Sequence, residues 1–503
     1  MHRGKLRVEA HTILSICILG SCLLALAGCA VGPDFHKPEA KVPSEWHGLS
    51  APSSAGQTVV TTEQGDLAAW WNNFEDPILA SLVDRALRSN LDLRQAEARI
   101  RQARAAKGVA GAALWPEVDA SSQYQRSGTG GGSGGFGERQ GTGSSGFVGN
   151  FFQVGLDASW ELDFFGGARR NIEASGADLQ AALEDRRDVL VTLVSDVGTN
   201  YARLRMYQLQ VRIAQNNLAA QQRTAEITRK RHEAGYVGAL DVANAQAQAA
   251  ATESQIPVLE AAARSSIYTL SLLLGKEPSA LREELGSEKP IPPTPPAIPA
   301  GLPSDLLRRR PDIRRAEAQV HAATARIGVA TADLFPRFSL TGSFGFSGND
   351  ISSLGNWTGR SWSWGPSATW PIFDAGRIRW NIEVQNALQE QALLTYEKAI
   401  LTALKDVETA LVSYEKELQH NRLLAEAVRN NHNAVRLAMT LYLAGKTDFL
   451  NVASAQRAQF LSEDALAQST NNLTTYIIAL YKALGGGWEQ PGGTAEAENG
   501  GRK

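Results

Sequence analysis

The chain has 503 residues, with 50 Lys and Arg against 52 Asp and Glu, and it is 43% hydrophobic. That length allows two or three ordinary domains, and the composition excludes a disordered or collagen-like polymer. A formal charge of −2 leaves no positive excess to draw in a phosphate backbone, so no nucleic-acid partner is expected. Three cysteines and eight scattered histidines form neither a disulfide framework nor a metal-ligand spacing, so no metal site and no cofactor are expected.

Arg3, Lys5 and Arg7 precede an apolar run, Ile13 to Leu26, that is too short to span a bilayer comfortably. Residues 1–28 therefore read as a secretory signal peptide. The run ends in Leu26-Ala27-Gly28-Cys29, which resembles a bacterial lipobox, with cleavage before Cys29 and a diacylglyceryl group on its thiol. The alternative is ordinary small-residue cleavage with Cys29 incidental. Cys17 and Cys22 fall in the removed segment, so the mature chain would keep one cysteine, at its first residue. Acyl chains anchor at ~0.8 kcal/mol per buried CH₂, and two or more hold stably. Residues 29–75 read as a lipid-anchored, extended N-terminal segment.

Sliding the chain against itself by 220 residues sets Asp92–Val118 on Asp312–Phe338 with 13 of 27 positions identical, among them Arg94/Arg314, Gly108/Gly328, Leu114/Leu334 and Pro116/Pro336. Further on the offset falls to 210, pairing Trp160 with Trp370, Asn171-Ile172-Glu173 with Asn381-Ile382-Glu383, Gly235 with Gly445, Leu240 with Leu450 and Gly275 with Gly485. The chain is a duplication. Its first repeat falls in 76–289 and its second in 304–488, with a flexible tail at 489–503. Between the repeats, residues 290–303 hold seven prolines in fourteen positions, a stiff extended connector. The change of offset falls in a glycine- and serine-rich stretch, 127–149, read as an exposed loop.

Residues 151–164 alternate with period two: Phe152, Val154, Leu156, Ala158, Trp160, Leu162 and Phe164 on one face, Gln153, Asp157, Ser159, Glu161 and Asp163 on the other. This spacing predicts a strand. Trp362, Trp364, Ala368 and Trp370 alternate with serines in the second repeat, Phe338, Leu340, Phe344 and Phe346 with Arg337, Ser339, Thr341 and Ser343, and Val118, Ala120 and Tyr124 more weakly with polar residues. Each repeat thus carries one hairpin of strands near the ~10 residues that cross an outer membrane when tilted. The alternative is a soluble sandwich whose apolar face lies in a core. Four strands cannot close a barrel, because open edges in lipid leave backbone groups unpaired, so a membrane role requires two or three protomers.

Two proline-free runs, about 168–234 and 377–444, are rich in Ala, Leu, Gln, Glu and Arg. They predict helices of ~100 Å. After a break at Ala234-Gly235 or Ala444-Gly445, a second run leads to Gly275 or Gly485, so each repeat is a long helical hairpin with glycine at its tip. A further helix near 92–114 would extend the return arm. A coiled coil without a channel is the alternative. The small, dispersed alanines at 243–251, interleaved with Gln246 and Gln248, fit a curved wall that is wet on its inner side better than a two-stranded seam.

These residues resemble the outer-membrane efflux lipoproteins of the TolC-like family, NodT subgroup. The resemblance rests on Val31-Gly32-Pro33-Asp34-Phe35 after Cys29, Trp70-Trp71 with Phe74-Glu75-Asp76-Pro77, Gly301-Leu302-Pro303-Ser304-Asp305 running on to Arg314, and Tyr481 to Trp488. It implies an α+β membrane protein, a homotrimer in which a 12-stranded transmembrane β-barrel, four strands per protomer, joins a long periplasmic α-helical barrel. It implies no enzyme but a passive exit duct in the cell outer membrane. The implied partners are outer-membrane lipid, a periplasmic adaptor (membrane fusion protein) and an inner-membrane pump of the resistance-nodulation-division (RND) type. It further implies that the hairpin tips, Gly235, Tyr236, Val237, Gly445, Lys446 and Thr447, contact the adaptor. Leu450 falls where the family narrows its pore, and Arg457 where an arginine pairs with an aspartate one turn earlier. Here that position is Ser454, so Asp241 or Asp448 are the candidates to substitute. Ala30, where an aspartate would signal retention in the inner membrane, implies the outer membrane as destination. An exit channel for type I secretion and a structural lipoprotein without a channel are the competing functions.

Overall fold

The computed structural model describes residues 30–48, 59–61, 67–129 and 147–489. The signal peptide, Cys29, most of the glycine-rich stretch and the tail beyond Glu489 lie outside the described residues. Strands β1 (Val59–Thr61), β2 (Glu117–Thr129), β3 (Phe147–Leu162), β4 (Ala297–Pro299), β5 (Arg337–Gly348) and β6 (Arg360–Thr369) are interspersed with helices. The helices are α1 (Pro77–Ser89), α2 (Leu91–Ala112), α3 (Gly167–Glu233), α4 (Ala239–Leu273), the single turns α5 (Arg282–Leu285) and α6 (Leu306–Arg309), α7 (Pro311–Ala332), α8 (Arg377–Leu443) and α9 (Phe449–Ala483). The duplication is exact in helix length: α2 and α7 have 22 residues, α3 and α8 have 67, and α4 and α9 have 35. Pro257 lies inside α4 without ending it, at the loss of one backbone bond. Among the described residues no helix is long and apolar enough to cross a membrane.

The chain divides into two compact units, the first comprising Met1–Lys37, Arg101–Gln180 and Glu317–Leu394, the second Pro38–Ile100, Ala181–Ala316 and Thr395–Lys503. The first unit contains a four-stranded antiparallel sheet in the order β2-β3-β5-β6. Each repeat supplies one hairpin, and β3 of the first repeat pairs with β5 of the second, which leaves β2 and β6 as the two edges. Each hairpin leads into its long helix through a turn capped by aspartate. Asp163 accepts from the backbone N–H of Ala168 and Arg169 at 3.0 and 2.9 Å, and Asp374 from Gly376 and Ile378, both at 2.9 Å. These bonds satisfy donors that the first helical turn leaves orphaned. The bond from the Ile378 N–H is the chief reason that the Asp374 carboxyl is held below its ordinary pKa.

In the second unit the N-terminal segment ends in core. Trp70–Phe74 forms a 3₁₀ turn whose Trp70 is stacked on Tyr481 with centroids 4.9 Å apart. Asp76 then caps α1 through Ile78 N and Leu79 N and accepts from Tyr201 Oη at 2.8 Å, with Pro77 in the first helical position. The segment expected to be extended is thus helical and buried over its last residues. The proline-rich connector is also packed: β4 pairs in parallel with β1, Ile298 is buried, Trp46 Nε1 donates to Gly301 O at 3.0 Å and Thr474 Oγ1 to Pro292 O at 3.1 Å. Extended backbone, which proline favours, here serves as a surface for the N-terminal segment and the second repeat rather than as a spacer.

Candidate functional site

The sheet register sorts the strand residues by face. One row across the four strands reads Ala120, Leu156, Phe344, Trp362, and the neighbouring rows hold Val118, Ala158 and Trp364 or Val154 and Phe346. A soluble sandwich would cover this apolar face. Instead Leu156, Phe344, Trp362 and Trp364 stand 51%, 45%, 65% and 73% exposed. Phe152 is half-buried beside Tyr124, with ring centroids 4.8 Å apart, and Phe338 beside Phe164, at 5.2 Å. Trp160 and Trp370 share a separate role at the end of their hairpins. The indole of Trp160 donates to Leu114 O at 2.9 Å and that of Trp370, one residue beyond β6, to Leu334 O at 3.0 Å, so equivalent tryptophans tie equivalent helix ends to the sheet.

The opposite face is polar. Its rows include Asp119, Asp157, Ser343 and Ser363, then Glu117, Ser159 and Thr341. Ser121 Oγ donates to Asp157 at 3.0 Å, and Ser343 and Ser363 are hydrogen-bonded at 2.8 Å. The same face leads to a cavity of about 760 Å³ bordered by Glu117, Glu161, Asp163, Asp333 and Arg337. Aspartates 119 and 157 sit directly opposite each other, an arrangement that destabilises a sheet and is tolerable where water solvates both. One face for lipid and one for water is the chemistry of a wall between the two.

The second unit holds the hairpin tips. Gly235 and Gly445 take positive φ of +78° and +69° and end α3 and α8 in the same motif. Tyr236 N bonds to Arg231 O at 2.8 Å and Lys446 N to Leu441 O at 2.9 Å. Behind the turns Tyr442, Phe449, Val452, Ala453 and Ala245 form a buried cluster, with Val237 packed against it. Arg231 clasps the two hairpins: its Nη1 donates to Tyr442 O at 2.6 Å, and its guanidinium lies 4.7 Å from the Tyr442 ring centroid. Leu450, Ser454 and Arg457 all lie on the exposed stripe of α9, at helical spacing of four and three residues. Leu450 is 69% and Leu240 72% exposed. Asp448 instead caps α9, accepting from Asn451 N at 3.2 Å, while Asn451 Nδ2 also bonds Thr447 Oγ1 at 2.8 Å. Asp241 sits half-buried in the first turn of α4. Gly235, Tyr236, Gly445 and Lys446 are exposed.

A third constellation, in the first unit, surrounds the residues that follow Cys29. Arg170, near the start of α3, is buried, and its Nε donates to Val31 O at 3.2 Å, Nη1 to Glu173 at 2.8 Å and Nη2 to Asp34 at 2.6 Å. Phe35 is stacked on His321 at 4.4 Å, and His321 Nε2 bonds Glu173 at 3.0 Å. Burial opposes the Arg170 charge, but the bonds to Asp34 and Glu173 outweigh it and hold its pKa above the ordinary value. Gly32, at φ +90°, lies so close to Gly328 that a Cβ would come within 2.4 Å of its Cα. No spacing in the sequence links these residues. The local signal is the Val31-Gly32-Pro33-Asp34-Phe35 stretch on which the resemblance rests.

A family model described as outer membrane efflux protein matches residues 82–276 and 302–486. The chain belongs to the outer membrane efflux protein family. Among its relatives, the pyoverdine export outer membrane protein OpmQ of Pseudomonas aeruginosa is 35% identical over 476 residues, covering 94% of this chain and 97% of that one. Nodulation protein T of Rhizobium leguminosarum bv. trifolii is 32% identical over 467 residues, covering 92% and 96%. The solved outer-membrane channel OprN matches with a TM-score of 0.81 at 36% identity, over 92% of this chain and all of that one. The fold is that of the TolC-like channels, mostly helix with a small sheet, as the resemblance implied. This efflux protein is accordingly an outer-membrane channel protein. Its relatives are channels rather than enzymes.

Proposed function

We propose that the protein is the passive exit duct of a tripartite efflux system, a homotrimer that receives small molecules from an inner-membrane RND pump through a periplasmic adaptor. The observation that carries this reading is the open four-stranded sheet, apolar on one face and polar on the other, with β2 and β6 unpaired in a single chain among the described residues. Unpaired edges are not tolerated in hydrocarbon, and three copies joined edge to edge supply twelve strands. Lipid on Cys29 fits the docking of Val31 to Phe35: Ala30, its neighbour in sequence, lies against Gly166 in the turn that follows β3, which keeps the anchor beside the membrane strands. The exposed Tyr236 and Lys446 tips are the adaptor contacts, and the Leu450, Ser454, Arg457 stripe lines the gate. Asp448, engaged as a helix cap, is the weaker substitute for the missing aspartate, and Asp241 the stronger. Relatives named for pyoverdine export and for nodulation share this frame at 35% and 32% identity, which supports a duct whose cargo is chosen by the pump.

The test is conductance of the purified protein in a planar bilayer, before and after Leu450→Ser. A leucine constriction predicts larger or more frequent openings for the variant. No conductance from either form would refute the duct, and identical conductance would refute Leu450 as its constriction.

A further inference from the structure

The two repeats contain one helix contact in duplicate, and a single chain completes only one of the two. In the first unit, α7 of the second repeat lies against the start of α3 of the first. They meet at Gly328, where a Cβ would come within 2.8 Å of Arg170 Cγ. Two turns earlier His321 bonds Glu173 at 3.0 Å. The repeat offsets carry this contact onto α2 and α8: Gly328 becomes Gly108, Arg170 becomes Trp380, His321 becomes Arg101, and Glu173 becomes Glu383. Each of these is bare where its counterpart is covered. Nothing lies within 4 Å of a Cβ built on Gly108. Trp380 is 71% exposed, and Ala105 is exposed where its equivalent Ala325 is 1% exposed. A mid-helix glycine costs about 1 kcal/mol against alanine, and within one chain nothing offsets that cost at Gly108.

We propose that α2 of one copy packs on the start of α8 of the next as α7 packs on α3, with Trp380 seated over Gly108 and Glu383 paired with Arg101. This register rests on the trimeric reading above and adds the residues that set it. The charges are complementary, with a guanidinium replacing the imidazole opposite the same acid. Tryptophan in place of arginine also has a reason. Arg170 directs its donors to Val31, Gly32 and Asp34, and no second copy of that segment precedes the second repeat, so an apolar ring fills the space instead. The sense of the contact agrees with the sheet. The pairing of β3 with β5 inside the chain becomes β6 with β2 between copies, and both contacts set the second repeat of one copy beside the first of the next. A head-to-tail contact of this kind closes into a ring.

The Arg170 Cγ distance puts the Cβ positions of the intrachain pair within roughly 4.3 Å, one carbon–carbon bond further, which suits a disulfide. In outer membranes, oxidised Gly108→Cys/Trp380→Cys protein is expected to run as covalent dimers and trimers that reduction dissolves, while each single variant runs as a monomer. As an independent arm, Arg101→Glu should lower the temperature at which the detergent-resistant trimer dissociates, and Arg101→Glu/Glu383→Arg should restore it. A native trimer that neither crosslinks through this pair nor regains stability in the double reversal would overturn the register and leave the trimer standing. A protein that sizes as a monomer before any substitution would overturn the trimeric reading itself.

Discussion

Arg170→Met separates the structural role of the N-terminal docking from that of the sheet. Methionine keeps an apolar stem over Gly328 but removes the donors. The bond to Glu173 lies within α3 and does not hold the segment, whereas the bonds to the Val31 and Gly32 carbonyls tie it directly and contribute about 0.5–1 kcal/mol each. The Asp34 carboxylate is open to solvent and adds little. The segment should therefore lose roughly 1–2 kcal/mol of local stability, about a five-fold to thirty-fold rise in its opening. The Val31 amide, which donates to Phe165 O at 3.0 Å, reports that opening by hydrogen exchange. An unchanged Val31 rate would refute the reasoning, as would an equal rise at the Trp70 turn in the other unit. Acidification gives a second readout. Burial works against the Glu173 carboxylate, but its bonds from Arg170 and His321 prevail and hold its pKa low, and the bond from Arg170 does the same for Asp34. Depressed carboxylates stabilise above their unfolded values near ~4 and lose that contribution as pH falls through the folded ones. The wild-type segment should thus loosen below about pH 4, and Arg170→Met should show little of that dependence.

At the tip, Phe449→Ala empties a site that is 2% exposed and should cost about 3–5 kcal/mol locally, read as protease cleavage near Gly445 with the detergent-resistant trimer retained. Trp160→Phe and Trp370→Phe each remove the indole donor of a helix-end carbonyl and should cost about 0.5–1.5 kcal/mol, less for the exposed Trp370 bond, seen as a lower melting temperature. No loss from Trp160→Phe would deny that its indole anchors the helix end.

The features legible in the sequence are those set by a period. Alternation along 151–164 and 337–346 revealed the strands because one face stays apolar for lipid and the other polar for water. The hairpin tips were legible because a left-handed residue must end each helix, and glycine recurs there at the repeat offset. The capping role of Asp448 was readable as well: an aspartate before Phe449 and the following apolar run is a helix-cap signal. The Arg170 socket was not readable, because Asp34, Glu173 and His321 come from three distant parts of the chain and meet only through packing. The connector misled for a related reason. Proline states that residues 290–303 are extended but says nothing of what covers them, and Ile298 proves to be core.

Two stretches that carry the resemblance, Gly301 to Arg314 and Tyr481 to Trp488, turn out to be halves of one contact. Gly301, at φ +66°, lets Asp305 fold back to accept from Leu302 N at 3.0 Å, and Arg310 then reaches Ala483 O at 3.0 Å while it clasps Asp312 at 2.6 Å. From the other side, Gly485 at φ +74° fits against Arg309, and the Trp488 indole donates to Arg309 O at 3.0 Å. Burial opposes the Arg310 charge, yet the bonds it donates to Asp312 outweigh it. This clasp joins the beginning of the second repeat to its end, with its partners held by backbone geometry or by a buried guanidinium. The motif is thus a feature of the fold, completed within one chain. The residues that would set the gate, Leu450, Ser454 and Arg457, stand on an exposed helix face where a single chain imposes almost no constraint. In the proposed trimer they take their neighbours from other copies, so Ser454 can stand where the resemblance implies an acid without any change in the clasp.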